Sequence, residues 1–259
     1  MRKYLIGVNY RTSELIHTWA NSAREHIPQV ELLLVDNFSS GAERKNVRQI
    51  CEKLSITLIL SENNGYGSAL NTAFKEIKVN NHITKTDLIM AGNIDLEFEK
   101  FSEPRKSEVT VYMPKIIERQ KLRYRNRNPF ITQVQLYCVC IFKPLLRCDA
   151  QFLIIFIQVL YKFLGYLPSK AKGVHGSLFC FNAGLLNLSA NIFNDNAFLY
   201  CEEIEFAKFL ETNHIAIEPW ETVIVHEAHQ SISQSFRRNR DRHELWKQSY
   251  LEFLNRWKL

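Results

Sequence analysis

Glu31-Leu32-Leu33-Leu34-Val35-Asp36-Asn37-Phe38-Ser39-Ser40 is an apolar run that ends abruptly in an acid, an amide and two serines. The pattern recurs twice within the first hundred residues. Thr57-Leu58-Ile59-Leu60 runs into Glu62-Asn63-Asn64-Gly65-Tyr66-Gly67, and Asp87-Leu88-Ile89-Met90 runs into Gly92-Asn93-Ile94-Asp95. Three buried strands with polar, glycine-bearing ends predict one edge of a parallel sheet. Ligands of open α/β sheets bind outside the carboxyl ends of the strands, so the chemistry is expected there.

Working outward, residues 4–8 predict a first strand, closed by Asn9-Tyr10-Arg11-Thr12-Ser13. Thr12 or Ser13 is placed to cap a helix through Leu15, Ile16, Trp19 and Ala20. Strands are expected at 31–35, 56–60 and 87–91, with helices at 43–54 and 66–78. Such alternation implies βαβ units with right-handed crossovers, a doubly wound α/β layer. Beyond Phe101 the pattern changes: a strand over Val109–Met113, a basic loop over 115–130, and a strand or helix over 133–142. Strands at 173–182 and 215–225, a helix at 202–212 and an amphipathic helix from Asp241 to Trp257 complete the chain. The expected division is 1–100, 101–235 and 236–259.

The 259 residues suffice for one large domain or two small ones, and composition is ordinary for a folded protein. The net charge of +6 is unevenly placed, with Lys and Arg crowded into 115–127 and 235–242. Such clusters suit nucleic acid, anionic lipid or phosphorylated substrates, or form a solvated basic face. Six cysteines include no CxxC pair, and Cys138 and Cys140 are too close for a zinc knuckle. Cys51, Cys148, Cys180 and Cys201 sit mostly among apolar neighbours, as buried thiols of a reducing compartment do. The opening strand is too short for a signal peptide, which predicts a cytoplasmic protein. Residues 152–167 form the longest apolar run. As a helix it would span about 24 Å, short of the roughly 30 Å hydrocarbon core. A core helix, or one lying at a membrane interface between Lys143, Arg147, Lys170 and Lys172, accounts for it.

Five groups of residues carry candidate chemistry. Asp36 suits a base or ribose hydroxyl, or an Asx turn. Asn64 to Asn71 is a glycine-bearing turn opening a helix, whose N–H groups favour a polar or anionic ligand. It is neither a GxGxxG dinucleotide fingerprint nor a GK[ST] P-loop. Strand alternation would put Asn93, Asp95 and Glu97 on one side, where oxygens can hold Mg²⁺ or Mn²⁺ with a diphosphate; a surface turn is the alternative. Glu202, Glu203 and Glu205 crowd the start of a helix after Phe198-Leu199-Tyr200-Cys201. They serve the helix dipole, or supply a general base whose pKa is raised by burial and repulsion. His226, just past the strand 222–225, is placed as a metal ligand or a satisfied polar group.

Taken in order, Val35-Asp36-Asn37-Phe38-Ser39-Ser40, Glu62-Asn63-Asn64-Gly65-Tyr66-Gly67-Ser68-Ala69-Leu70-Asn71, Asn93-Ile94-Asp95, Phe198-Leu199-Tyr200-Cys201-Glu202-Glu203 and a strand-terminal His226 resemble the family 2 glycosyltransferases of the GT-A fold. The likeness is to the rhamnosyltransferase-like branch that builds bacterial surface polysaccharides. It covers 4–98 well and 173–235 in patches. The resemblance implies an α/β/α sandwich on a mostly parallel central sheet. It also implies a metal-dependent, inverting transfer from a dTDP- or UDP-sugar to a saccharide acceptor, and the basic stretches with the apolar run 152–167 fit an acceptor carried on a membrane lipid diphosphate. Asn9, Tyr10, Asp36, Asn64, Gly65, Asn93 and Asp95 would bind the donor, with Mg²⁺ or Mn²⁺ on Asp95 and His226. Glu203 would be the general base, and Gly176, Phe179 and Glu202 would face the acceptor. Asn93 stands where the family has the first acid of its DxD motif, and Glu203 where it has Asp. No nucleic-acid partner is implied; contact with a membrane surface follows only from the interfacial reading of 152–167. The rival classes are a sugar-phosphate nucleotidyltransferase, whose glycine- and lysine-rich loop 7–14 lacks, and a non-catalytic binding subunit, which has no need of Asp95, Glu203 and His226 together.

Overall fold

The computed structural model describes residues 1–37, 40–80, 83–105, 109–118, 123–124, 174–227 and 239–258. The expectations for 133–142 and 152–167, most of the basic stretch 115–127 and half of 235–242 lie outside the described residues.

Among the described residues nine strands form one sheet. They are β1 (Lys3–Asn9), β2 (Val30–Asn37), β3 (Thr57–Ser61), β4 (Leu88–Asn93), β5 (Leu96–Lys100), β6 (Val111–Glu118), β7 (Arg123–Tyr124), β8 (Leu178–Asn182) and β9 (Ile217–His226). Their order is β3-β2-β1-β4-β8-β6-β9-β5, with β7 beside β6. β3, β2, β1 and β4 are mutually parallel. β8 is antiparallel to both β4 and β6, and β9 is parallel to β6. Hence β6 and β9 run in the same direction as β4, and their carboxyl ends share its edge. β5 returns antiparallel along β9.

The sheet is covered on both faces, which is why its central strands read as unbroken apolar runs. Leu5, Leu32, Leu34, Leu88 and Met90 pack with α1 (Ile16–His26) and α2 (Gly41–Lys53), through Trp19, Ala20, Val47 and Cys51. The alternate residues Tyr4, Ile6, Leu33, Val35, Ile89, Phe179 and Phe181 pack with α3 (Tyr66–Asn80) and α4 (Glu202–Thr212). Each such fully buried side chain contributes roughly 1.5–3 kcal/mol relative to exposure. α5 (Asn239–Trp257) ends the described chain and buries Trp246, Tyr250, Phe253 and Leu254. Cys51, Cys180 and Cys201 are buried free thiols. Among the described residues no helix is long and apolar enough to cross a membrane.

Several local expectations are corrected. Neither Thr12 nor Ser13 caps a helix through its side chain; a 3-10 turn (Ser13–Leu15) precedes α1, and the Thr12 hydroxyl donates to Asn9 Oδ1 at 3.2 Å instead. Lys115–Glu118 and Arg123–Tyr124 are strand rather than loop, because β6 continues along β9. Of the described residues 174–182, only Leu178–Asn182 are strand. β5, unforeseen, follows β4 after two residues, so the alternation expected from Asn93 to Glu97 is broken at Ile94 and Asp95.

Candidate active site

The parallel register gathers the strand-end residues. Asn9 pairs with Asp36 in the ladder, Asn37 with Ser61, and Val8 with Asn93. Asn9 and Asp36 are completely buried, and Asn9 Nδ2 donates to Asp36 Oδ1 at 3.1 Å. The Arg44 guanidinium lies 3.8 Å from Asp36 Oδ2. Tyr10 is partly exposed beneath the Arg11 guanidinium, and Asn64 is exposed.

Further along, the turn between β4 and β5 carries Asp95. Because Leu96 pairs with His226 across β5 and β9, Asp95 is delivered beside that ring. Asp95 Oδ1 lies 3.3 Å from His226 Nε2, and both side chains are less than a tenth exposed. Asp95 Oδ1 and both His226 ring nitrogens are buried without a hydrogen-bond partner among the described residues. Buried polar atoms are ordinarily satisfied, so such a trio points to a ligand. A carboxylate beside an imidazole suits Mn²⁺ or Mg²⁺, held with phosphate oxygens and water rather than by an all-protein cage. Among the described residues no three His, Cys, Asp or Glu side chains cluster as a metal cage. Two protein ligands fit a metal shared with a diphosphate.

The turn before β8 connects this pair to the helix carrying the acids. The His175 ring meets His226 edge to face at 5.7 Å, and its Nδ1 accepts the Ser177 N–H at 3.1 Å. The Gly176 N–H donates to Glu203 Oε1 at 3.0 Å, while the Gly176 carbonyl accepts the Tyr66 hydroxyl at 3.2 Å. The Ser177 carbonyl accepts the Asn93 N–H at 2.9 Å. A Cβ on Gly176 would stand 2.7 Å from Glu203 Cγ, so only glycine permits this approach. Gly65 has φ +108°, and a Cβ there would meet the Phe198 carbonyl oxygen at 2.4 Å. That close approach lets the Tyr66 N–H donate to the same carbonyl at 3.2 Å.

The electrostatics of the group are strongly coupled. Burial first, and then the charges of Glu202, Asp95 and Glu203, push the Tyr66 hydroxyl well above its ordinary pKa. Glu202 is partly exposed, yet its Oε1 is enclosed without a hydrogen-bond partner among the described residues. Burial pushes its carboxyl up to about 7; nearby backbone N–H groups oppose this and the Glu203 charge adds to it. The elevation foreseen for the acidic helix start falls on Glu202 and also on Glu205, whose carboxyl burial pushes up to about 7.

Asp95, His226, Gly176, Glu202 and Glu203 come together, and Asn93 joins them through its backbone. Phe179 does not line the group: it is wholly buried, with Phe193 and Phe206 each 5.0 Å from its ring. Tyr66, His175 and Ser177 carried no assignment from sequence. For His175 and Ser177 the signal was a polar, glycine-bearing segment abutting the start of a strand, which antiparallel β8 brings to the same edge; Tyr66 opens α3.

Solved structures share this architecture. A mannosyltransferase from Pyrobaculum calidifontis, in complex with GDP-Man and Mn²⁺, matches at a TM-score of 0.51 and 17% identity, over 99% of this chain and 71% of its own. The fold is the GT-A glycosyltransferase fold. Residues 1–349 of S. aureus TarS match at 0.54 and 10% identity, over 98% of this chain and 72% of that one. A mycobacterial protein matches at 0.55 and 13% identity, over 98% and 74%. The chain spans 36% of a longer S. aureus TarS structure. No protein-family model and no curated protein matches the sequence. Within the GT-A fold, the edge that gathers Asp95, His226 and Glu203 is the carboxyl edge of the parallel strands.

Proposed function

We propose that this chain is an inverting glycosyltransferase that moves a sugar from a nucleotide-diphosphate donor to a saccharide acceptor. The observation that supports this most is the buried Asp95–His226 pair, linked through the His175–Ser177 turn to Glu203 at the strand-end edge of a GT-A fold. Solved GT-A relatives carry GDP-Man with Mn²⁺, and UDP-GlcNAc. In this proposal Asn9, Tyr10, Asp36, Asn64 and Gly65 form the nucleoside side, and Asn93 and Asp95 the diphosphate side. Asp36 is sealed under Asn9, so it acts by fixing the Asn9 amide as much as by direct contact.

Glu203 takes the proton from the acceptor hydroxyl as that oxygen attacks the anomeric carbon from the face opposite the nucleotide. The Gly176 N–H aims its carboxylate. Asp95 and His226 would hold Mg²⁺ or Mn²⁺, which supplies charge neutralisation for the departing diphosphate. Glu202, whose carboxyl burial pushes up to about 7, serves as a donor or acceptor toward the acceptor sugar. The basic stretches and the apolar run 152–167 support an acceptor on a lipid diphosphate at the cytoplasmic membrane surface, in polysaccharide assembly of the rhamnosyltransferase-like kind.

Calorimetry with UDP, dTDP and GDP, with and without Mn²⁺, tests the donor assignment. One nucleotide should bind in the presence of Mn²⁺, and Asp95→Asn should weaken that binding at least about tenfold, the scale of a lost charge-assisted contact. Binding that ignores both Mn²⁺ and Asp95→Asn would remove the diphosphate assignment.

A further inference from the structure

The helix that carries Glu203 is held from two sides. Glu203 and Glu205 are two residues apart, hence about 200° apart around the axis of α4. On one side Glu203 Oε1 accepts the Gly176 N–H at 3.0 Å. On the other, Glu205 Oε2 accepts two donors from the last turn of α5, Arg256 Nη1 at 2.9 Å and Trp257 Nε1 at 3.1 Å. Glu205 is 1% exposed, although it lies on a helix whose other first-turn acids reach the site.

The tie extends further. Arg256 Nη2 donates to the Asn191 carbonyl at 3.0 Å, and Asn191 Nδ2 donates to Asp195 Oδ2 at 2.6 Å. Asn71 Nδ2 donates to Asp195 Oδ1 at 2.8 Å and to the Phe193 carbonyl at 2.9 Å. Phe193 in turn packs against Gly67, beside Tyr66. A continuous run of bonds therefore joins the end of α5 to the first turn of α4 and to Asn71 in the second turn of α3, and Phe193 carries it by packing to the first turn of α3.

A buried ion pair is a poor way to gain stability alone. Apolar residues of similar volume often serve as well or better. What the pair adds is direction: two donors on one carboxylate oxygen fix the roll of α4. We infer that Arg256 and Trp257 are positioning residues for the catalytic edge, and that their clamp on Glu205 holds Glu203 against Gly176. The functional part of this rests on Glu203 being the general base; the mechanical part does not.

The test compares wild type with Glu205→Met, Arg256→Met and the double variant, and adds Trp257→Phe, which keeps the ion pair and the ring but loses the indole donor. Thermal unfolding, amide exchange at Gly176 and steady-state turnover are measured on each. Each single Met variant should lower Tm, and the double variant should regain it by replacing the ion pair with an apolar one. In the double variant Gly176 exchange should nonetheless rise about tenfold or more. Turnover should fall about tenfold or more, since small misplacements of a catalytic group are expensive. Trp257→Phe should raise Gly176 exchange about fivefold, the weight of one hydrogen bond. A double variant or Trp257→Phe with wild-type Gly176 exchange would overturn the clamp. If Glu203→Gln keeps wild-type turnover, the base assignment falls instead, and the exchange result still judges the clamp.

Discussion

Gly176→Ala isolates the contact on which the proposed chemistry turns. Gly176 does not sit in the left-handed backbone region, so alanine introduces no intrinsic backbone strain. The added methyl would lie 2.7 Å from Glu203 Cγ, 2.9 Å from its Oε1 and 3.0 Å from its Cδ. Carbon atoms settle at about 3.5–4.0 Å, so the carboxylate must retreat by about 1 Å. A misplacement of that size costs on the order of 10² in rate, or about 2.7 kcal/mol in barrier. Nucleotide release under saturating donor gives kcat, calorimetry gives the nucleotide Kd, and thermal unfolding reports the fold. The expected result is a fall in kcat of about 10²-fold with Kd and Tm close to wild type. A kcat within about twofold of wild type would refute the placement of Glu203, because no general base tolerates that displacement unharmed.

Three other outcomes follow from the same structure. Glu202 and Glu205 are each pushed up to about 7 by burial, against an ordinary 4.5, with Arg256 and Trp257 opposing the rise at Glu205. A carboxyl whose pKa is higher folded than unfolded binds its proton more tightly in the fold, so that stabilisation is present at low pH and lost as pH rises through about 7. The urea midpoint should therefore fall between about pH 5 and pH 8, and Glu205→Gln should flatten the slope. Phe179→Leu should cost about 1–2 kcal/mol in urea denaturation while acceptor KM stays unchanged, because the ring is core rather than contact surface. Asn9→Ala removes a buried donor from Asp36 and should cost about 1–3 kcal/mol, measured the same way, with nucleotide affinity lowered as well.

Much of the N-terminal half was legible because its strands are buried on both faces. Runs such as Leu32 to Val35 admit no amphipathic alternative, and their polar ends mark the edge by themselves. β5 escaped notice for the opposite reason: Leu96-Glu97-Phe98-Glu99-Lys100 is short, charged and at the rim, where alternation resembles a turn. The same holds for Lys115–Glu118, which opens the basic stretch and is a strand whose order comes from pairing with β9. Asp95 was a candidate from sequence for a reason the fold does not use. Its position comes from a two-residue turn and a distant partner strand, not from alternation with Asn93. Neither the His175 contact with His226 nor the Arg256 tie to Glu205 has any local signature, since each joins residues about fifty positions apart.

The most direct measurement is nucleotide release from a panel of dTDP-, UDP- and GDP-sugars with Mn²⁺ and a lipid-linked saccharide acceptor, comparing wild type with Glu203→Gln. Wild type should release one nucleotide in step with acceptor glycosylation. Glu203→Gln should bind that donor normally and turn over on the order of 10²–10⁴ times more slowly. Equal turnover by the two proteins would contradict the proposed mechanism, and a wild type that binds none of these donors would contradict the proposed function.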